Sequence, residues 1–459
     1  MKKYKRMKKN IYIIGIGGIG ISAIARYHIH IGNKVYGSDS TDSMLIEDLR
    51  KQGIDITIGT DVKKIENLKI DEVIYTEAID KNNIELKKAL ELGLKVFTYP
   101  EALAEIVNNK KLIAITGTHG KSTTTSLSSL ILKDSKAGVN TIVGTILKEF
   151  DNKNAFFSNS EYFVIEACEY KRSFLKYKPT VGIITNIEID HLDYYKDLDD
   201  YLSAFKDFLG NIVFGGFAIL NGNDKNCKKL IGIRPDLIYI EVYDEYFVVN
   251  SAKSNETLGK IYEKEKIFFP KINMQIPGRH ILYDAHIAYI VGYMAGIKKE
   301  KSIKILENYS GVWRRMEIIG ETEHGNILMS DYGHHPTEIK LTLEALKKKY
   351  TNKKILTIFQ PHQYNRTLEL LSGFKKCFSN TDKLVIPNIY ESRDSKQDKE
   401  KINSKILVNL INHPDKLDGE GLQNTLEIIK KYDYQNPNSS IILLLGAGDV
   451  DNLRYDIIK

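Results

Sequence analysis

The stretch Ile113-Ala-Ile-Thr-Gly117-Thr-His-Gly120-Lys121-Ser122-Thr-Thr-Thr125 decides how the rest of the chain is read. An apolar run ends in a loop bounded by glycines, and Lys-Ser opens a segment of helical character. In that order, backbone N–H groups can surround a polyphosphate while a lysine ammonium neutralises its outer charge. Gly117, Thr118, His119, Gly120, Lys121, Ser122 and Thr123 are therefore expected around nucleotide phosphates, with the Ser122 hydroxyl as a Mg²⁺ ligand. Ile115 stands where the full Walker spacing wants glycine, so a tighter version of the turn is expected.

Working outward, residues 11–107 alternate short apolar strands (11–17, 34–39, 55–59, 71–76, 94–100) with helical patterns at 43–52 and 83–92. This is the rhythm of βαβ units on a parallel sheet. Pro100 leads into a helix with a polar exit, which sets a boundary near 108–110. The glycine-bounded loop then opens a second block, with strands at 162–166, 180–184 and 216–220, a β-rich stretch across 236–276 and a helix over 281–296. A third block begins near Trp313, with strands near 316–321, 326–330, 354–359, 383–387 and 440–445. Its helix at 337–348 puts Ile339, Leu343 and Leu346 on one face. An α/β protein of three domains is expected, at 11–109, 110–310 and 311–459, behind a basic tail at 1–10 and with hinges near 108–110 and 308–312. The length of 459 residues agrees, at about 150 residues per domain.

Lysine and arginine total 66 against 59 acids, a net charge of +7, but MKKYKRMKKN at the start holds six cations and no acid. The rest is nearly neutral, so neither nucleic acid nor a membrane surface is an expected partner. Hydrophobic residues make up 42% and charged residues 27%, ordinary usage for a soluble chain, and no apolar run reaches membrane-span length. Cys168, Cys227 and Cys377 are too widely spaced for a disulfide framework or a zinc pair. The basic start followed by IYIIGIGGIGISAIA imitates a secretory signal, yet glycines at 15, 17, 18 and 20 interrupt any apolar helix. A cytoplasmic location is expected.

Further motifs sit at the ends of apolar strands, where open α/β sheets gather ligands. Gly15-Ile-Gly17-Gly18-Ile19-Gly20 leads into a helix, and Asp39 ends the next strand where an acid suits a ribose hydroxyl; a merely tight turn is the plainer alternative. Glu166-Ala-Cys168-Glu169-Tyr170 offers carboxylates for a Mg²⁺ shell. Thr185-Asn186-Ile-Glu188-Ile-Asp190-His191-Leu-Asp193 offers ligands for a second metal or for phosphates; His191 has no partner at zinc spacing. Arg314-Arg315 suits polyphosphate, or a solvated charge pair. In Asp331-Tyr332-Gly333-His334-His335-Pro336, proline fits the first helical position, and at least one histidine is expected to be exposed. Phe359-Gln-Pro-His362-Gln363-Tyr-Asn-Arg366 places a guanidinium suited to a carboxylate, and Gly446-Ala-Gly448-Asp449 ends another strand.

In this order, over residues 11 to 450, the blocks resemble the Mur ligase family: GIGGIG, SDS at 38–40, GTHGKSTTT, EACEY, TNIEIDHLDYY, RR, DYGHHPTEI, FQPH with Arg366-Thr367, and GAGD. The resemblance implies an N-terminal Rossmann-like domain that binds a UDP sugar through Gly15, Gly17, Gly18, Ile19, Gly20, Ser38 and Asp39. A central P-loop-type ATPase domain with a mostly parallel sheet and a C-terminal Rossmann-like domain complete the implied architecture. The implied reaction joins L-alanine to the lactyl carboxylate of UDP-N-acetylmuramate, with ATP and Mg²⁺, through an acyl phosphate that the alanine amine attacks. By the same resemblance Lys121, Glu166, His191, His334 and Arg366 are catalytic, and Ser122, Glu166 and His191 hold metal. His280 and Asp284 would meet adenine, Arg314 or Arg315 the ATP phosphates, and Asp331 the ribose. Tyr332, His334, His362 and Arg366 would receive alanine and the acyl group, in a monomer or homodimer.

The chain departs from the family pattern in four places. Ser122 replaces a usual threonine and keeps its hydroxyl, Cys168 replaces a frequent aspartate, and Gln363 replaces a frequent arginine, leaving Arg366 alone. Ile281 cannot hydrogen-bond adenine, which leaves Asp284 for that contact. Three rivals remain: a related ligase that adds a recycled murein peptide to the same nucleotide sugar, a nicotinamide-dependent dehydrogenase, and a non-catalytic nucleotide-sugar sensor. The GIGGIG and FQPH contexts favour alanine, and a dehydrogenase leaves the phosphate loop unexplained.

Overall fold

The computed structural model describes residues 8–80, 82–250, 266–392 and 394–458; most of the basic tail, and residues 251–265 of the expected β-rich stretch, lie outside the described residues. Among the described residues the strands form three sheets. The first is wholly parallel, in the order Asp55–Ile58, Lys34–Asp39, Asn10–Ile14, Glu72–Tyr75, Lys95–Thr98. Its chain order reverses direction beside Asn10–Ile14, which opens a crevice at that strand's carboxyl end.

The second sheet has nine strands, and Lys111–Thr116 lies between Val181–Ile184 and Tyr162–Glu166, all parallel. Antiparallel strands blunt both edges, Tyr246–Asn250 with Lys266–Phe268 on one side and Lys153–Phe156 on the other. The hairpin of Asn140–Leu147 with Lys153–Phe156 lies in a stretch that the sequence pattern leaves unassigned. It fastens two units together: Asn154 Nδ2 donates to Ser22 Oγ at 2.8 Å and to the Ile19 carbonyl, while Arg26 Nε donates to Asn154 Oδ1 at 3.0 Å.

The third sheet runs Glu317–Glu321, Ile327–Asp331, Ser440–Leu445, Lys354–Phe359, Lys383–Ile386, Lys416–Asp418, antiparallel only at its first pair. Asp331 and Phe359 both register on Leu445, so three motif-bearing strand ends emerge side by side. Apolar packing crosses from sheet to sheet. Leu127 and Ile131 behind the glycine-bounded loop 117–120 share one buried cluster with Ala285 and Tyr289, and with Ile339 and Leu343 of helix Pro336–Lys349. No helix among the described residues is long and apolar enough to cross a membrane.

Candidate active site

Three neighbouring strands of the central sheet deliver the site from one side. After Lys111–Thr116 the chain turns at Gly117 (φ +129°), where a Cβ would lie 2.2 Å from Thr185 Oγ1. It turns again at Gly120 (φ +83°), where a Cβ would lie 2.6 Å from Asp284 Oδ1. Only glycine fits these two places, which explains the spacing of the loop. Lys121 Nζ donates to the carbonyls of Gly117 and Thr118 at 2.5 and 3.0 Å and pairs with Glu169 Oε1 at 3.1 Å. Thr118 and Thr123 are buried. Ser122 Oγ donates to Glu166 Oε2 at 2.9 Å, and the Gly144 N–H donates to the same oxygen at 3.0 Å. His191, at φ +57°, places Nε2 3.5 Å from the buried Glu169 carboxylate.

Asp284, expected against adenine, also lies under the loop. It accepts from Thr124 Oγ1 at 3.0 Å, and burial pushes its carboxyl up to about 8, so it acts as a neutral acid supporting the turn. Its side chain still lines a cavity of about 370 Å³ with His119, Gly120, His280, Arg315 and Asp331. Burial lowers His280 to about 4, which leaves a neutral imidazole on that wall.

The C-terminal sheet closes the site from the other side and corrects two expectations. Neither histidine of the pair is exposed: His335 is buried, and the His334 side chain is 16% exposed, because their loop meets the central unit rather than solvent. Of the two arginines only Arg315 faces the cavity, 3.9 Å from Glu338. Arg314 turns the other way, where its Nη2 donates to the carbonyls of Gly446 and Gly448, the second at 2.9 Å. The GAGD turn is thus a packed element pinned by Arg314. A Cβ on Gly446 would meet the Gln360 carbonyl at 2.4 Å.

Asp331 accepts from the N–H groups of Met316 and Gly333 at 2.8 and 2.9 Å, so it shapes the strand end that lines the cavity. The guanidiniums of Arg314 and Arg315 both approach the Tyr332 ring, each 4.9 Å from its centre. His334 Nδ1 is 3.1 Å from the Tyr332 carbonyl. A carbonyl only accepts, so Nδ1 carries the proton and Nε2 the lone pair. Burial first, then nearby Arg366, lowers His334 to about 3. His362 stacks on Tyr390 at 5.4 Å and lies 6.4 Å from the His334 ring. Arg366 Nη2 pairs with both oxygens of Asp190, across the gap between central and C-terminal units. Burial opposes charge on Asp190, but Arg366 outweighs it and holds that carboxyl well below the usual range.

The glycine loop 15–20 is tied into its own sheet. Ser38 is buried, its hydroxyl donating to Glu85 at 2.7 Å and its carbonyl accepting from the N–H groups of Gly15 and Ile16. Asp39 accepts from the Gly17 N–H at 2.8 Å. Both residues shape the loop from beneath. Gly18 is exposed at the mouth, Ile19 begins helix Ile19–His30, and a Cβ on Gly20 would press on Tyr99 at 2.8 Å.

Glu169, Glu188 and Asp190, which the sequence offers only as members of acid-bearing motifs for metal or phosphate, belong to the site, as does Glu338, to which the sequence gives no role. Each stood inside a quoted motif, but its partner lies on another segment: Lys121, His119, Arg366 and His119 respectively. An acid at a strand end was the available signal.

Three family models match the chain in order: "Mur ligase family, catalytic domain" over 10–111, "Mur ligase middle domain" over 115–292, and "Mur ligase, glutamate ligase domain" over 314–448. The UDP-N-acetylmuramate–L-alanine ligase of Clostridium botulinum is 37% identical over 465 residues, covering 97% of this chain and 96% of its own. That of Alkaliphilus metalliredigens is 38% identical over 452 residues, covering 96% and 95%. Among solved structures, the UDP-N-acetylmuramate-alanine ligase of Thermotoga maritima superposes with a TM-score of 0.76 at 25% identity, covering 98% of both chains. A murein peptide ligase from Psychrobacter arcticus shares the fold, with a TM-score of 0.71 at 21% identity over 98% of both chains. With its three units matched in sequence order and relatives more than one-third identical along nearly its whole length, the chain belongs to the Mur ligase family.

Proposed function

We propose that this protein uses ATP to join L-alanine to the lactyl carboxylate of UDP-N-acetylmuramate, a cytoplasmic step of peptidoglycan precursor synthesis. The observation that carries this is the near-full-length likeness to ligases bearing that substrate pair in their names. The units 11–109, 110–310 and 311–459 would take nucleotide sugar, ATP and amino acid respectively, with the reacting atoms meeting where the central and C-terminal strand ends face each other.

The chemistry needs two anions to meet. The lactyl carboxylate attacks the γ-phosphorus, ADP leaves, and the alanine amine then attacks the acyl phosphate carbonyl and expels phosphate. The Lys121 ammonium, held on loop carbonyls beside Glu169, is placed to neutralise the transferring phosphoryl group, and Arg315 faces the nucleotide cavity with a second cation. Ser122 and Glu166, a hydroxyl and a carboxylate already at hydrogen-bond distance, form a hard-oxygen donor set that fits Mg²⁺, and His191 would serve a second ion. When bound, Mg²⁺ supplies charge neutralisation at the phosphates.

Arg366 Nε is buried without a hydrogen-bond partner among the described residues, while Nη2 is anchored on Asp190. This guanidinium would pair with the alanine carboxylate, a single fork serving even though Gln363 stands nearby in place of a second arginine. His334 Nε2 can accept a hydrogen bond from the amine. At about 3, however, His334 is far too weak a base to take its proton, so it orients rather than deprotonates.

The test is phosphate release from ATP and UDP-N-acetylmuramate with alanine, glycine, serine or the recycled tripeptide offered in turn. Release with alanine is expected. Release with tripeptide alone would move the assignment to the recycling ligase.

A further inference from the structure

One side chain of the phosphate loop reaches across to the C-terminal unit. His119 Nε2 lies 3.0 Å from Glu188 Oε2 on its own unit, and Nδ1 lies 3.0 Å from Glu338 Oε1 on helix Pro336–Lys349. An ionised carboxylate offers only acceptors, so both ring nitrogens donate and the imidazole is a cation. Each carboxylate is itself held. Glu338 Oε2 accepts from the His334 and His335 N–H groups at 3.1 and 3.4 Å, and Glu188 Oε1 accepts from Thr337 Oγ1 at 2.8 Å. The His119 N–H is fixed on Asn186 Oδ1 at 2.9 Å, and the His335 ring lies 4.9 Å away, centre to centre. The backbone of the phosphate loop is thereby linked, through one imidazolium, to the start of a C-terminal helix.

We propose that His119 is a positioning residue that couples occupancy of the phosphate loop to docking of the C-terminal unit; this rests on the ATP-driven function above. If the C-terminal unit swings away, Glu338, His335 and Thr337 leave together, while Glu188 and Asn186 stay with His119. The undocked imidazole then keeps one carboxylate instead of two, so docking takes up protons. The charged and titratable groups facing His119 are Glu188 after strand Val181–Ile184, Glu338 and His335 at the helix start, His280 and Asp284 on helix Arg279–Met294, and Arg315. Burial pushes His119 down, but Glu338 and Glu188 outweigh it and raise it to about 9. The latch is therefore complete below the ordinary histidine value of 6.5 and is lost as pH rises through about 9.

Phosphate release is measured from pH 6 to 10.5 for the wild type, His119→Gln, Glu338→Gln and the double variant. Scattering profiles with and without a non-hydrolysable ATP analogue are recorded alongside. Wild-type kcat is expected to fall along an alkaline limb near pH 9, which moves to lower pH in Glu338→Gln and disappears in His119→Gln. Each single change should lower kcat about tenfold, and the double variant should be within about twofold of the worse single, because both break one contact. Losses that multiply, or a limb unmoved by Glu338→Gln, overturn the proposal. Calorimetry of analogue binding to the wild type in two buffers at pH 8.5 needs no variant: proton uptake supports the coupling, and none refutes it. The scattering and calorimetric arms omit the amino acid, so a wrong acceptor in the proposed function leaves them intact.

Discussion

Arg314 and Arg315 are adjacent, yet the structure assigns them to different tasks, and that division can be measured. Replacing Arg314 with Met removes hydrogen bonds to the Gly446 and Gly448 carbonyls, each worth about 1.5–3 kcal/mol for a charged donor. Arg314 is 8% exposed, so some desolvation cost is recovered when its guanidinium goes. Asp451, 3.9 Å from Arg314 Nε, keeps Arg454 and Ser330 as partners, so no carboxylate is orphaned. A net loss of about 2–4 kcal/mol follows. For a unit of this size it lowers the thermal midpoint by about 5–15 °C. Arg315→Met instead removes a cation from the cavity proposed for the nucleotide, and the KM for ATP should rise about tenfold or more. Differential scanning calorimetry and phosphate-release kinetics on both variants separate the cases. An Arg314→Met protein with an unchanged midpoint and a raised KM for ATP would refute the placement of these side chains.

Other expectations follow from the same geometry. Asp190→Ala leaves the part-buried Arg366 guanidinium without its counter-ion, costing about 3 kcal/mol and raising the KM for alanine more than that for ATP; equal shifts in both constants would argue against it. Lys121→Ala should abolish phosphate release while UDP-sugar binding, read by calorimetry, persists; a variant that still turns over refutes the role. Asp284 is an acid whose folded value, about 8, lies above its ordinary 3.8, so it binds its proton more tightly folded than unfolded. Its contribution is whole below pH 4 and is lost as pH rises towards 8. Asp284→Asn should therefore gain roughly 1–3 kcal/mol over the wild type at pH 8, with the gap closing by pH 4. Parallel stability curves across that range would refute it.

Much of the fold was legible because local physics determines it. Apolar runs such as IYII at 11–14 and IILLL at 441–445 leave few alternatives to buried parallel strands, and glycines at 117 and 120 announce a turn that tolerates no Cβ. Hairpin Asn140–Leu147/Lys153–Phe156 was not legible, since its pairing and its grip on Ser22 and Arg26 depend on another unit.

The site divides in the same way. Sequence alone picked out the strand ends that meet in the candidate site, and proposed Lys121, Ser122, Glu166 and Arg366 for phosphate, metal and carboxylate from residue type and strand-end position. Only tertiary structure decided which way adjacent side chains point. Arg314 is held on the Gly446 and Gly448 carbonyls while Arg315 lines the cavity, and no spacing rule records that. The same holds for His119, whose charge depends on Glu338, 219 residues away, brought to 3.0 Å only when two sheets face each other. A histidine's protonation state is a property of its surroundings, and those surroundings are assembled by the fold.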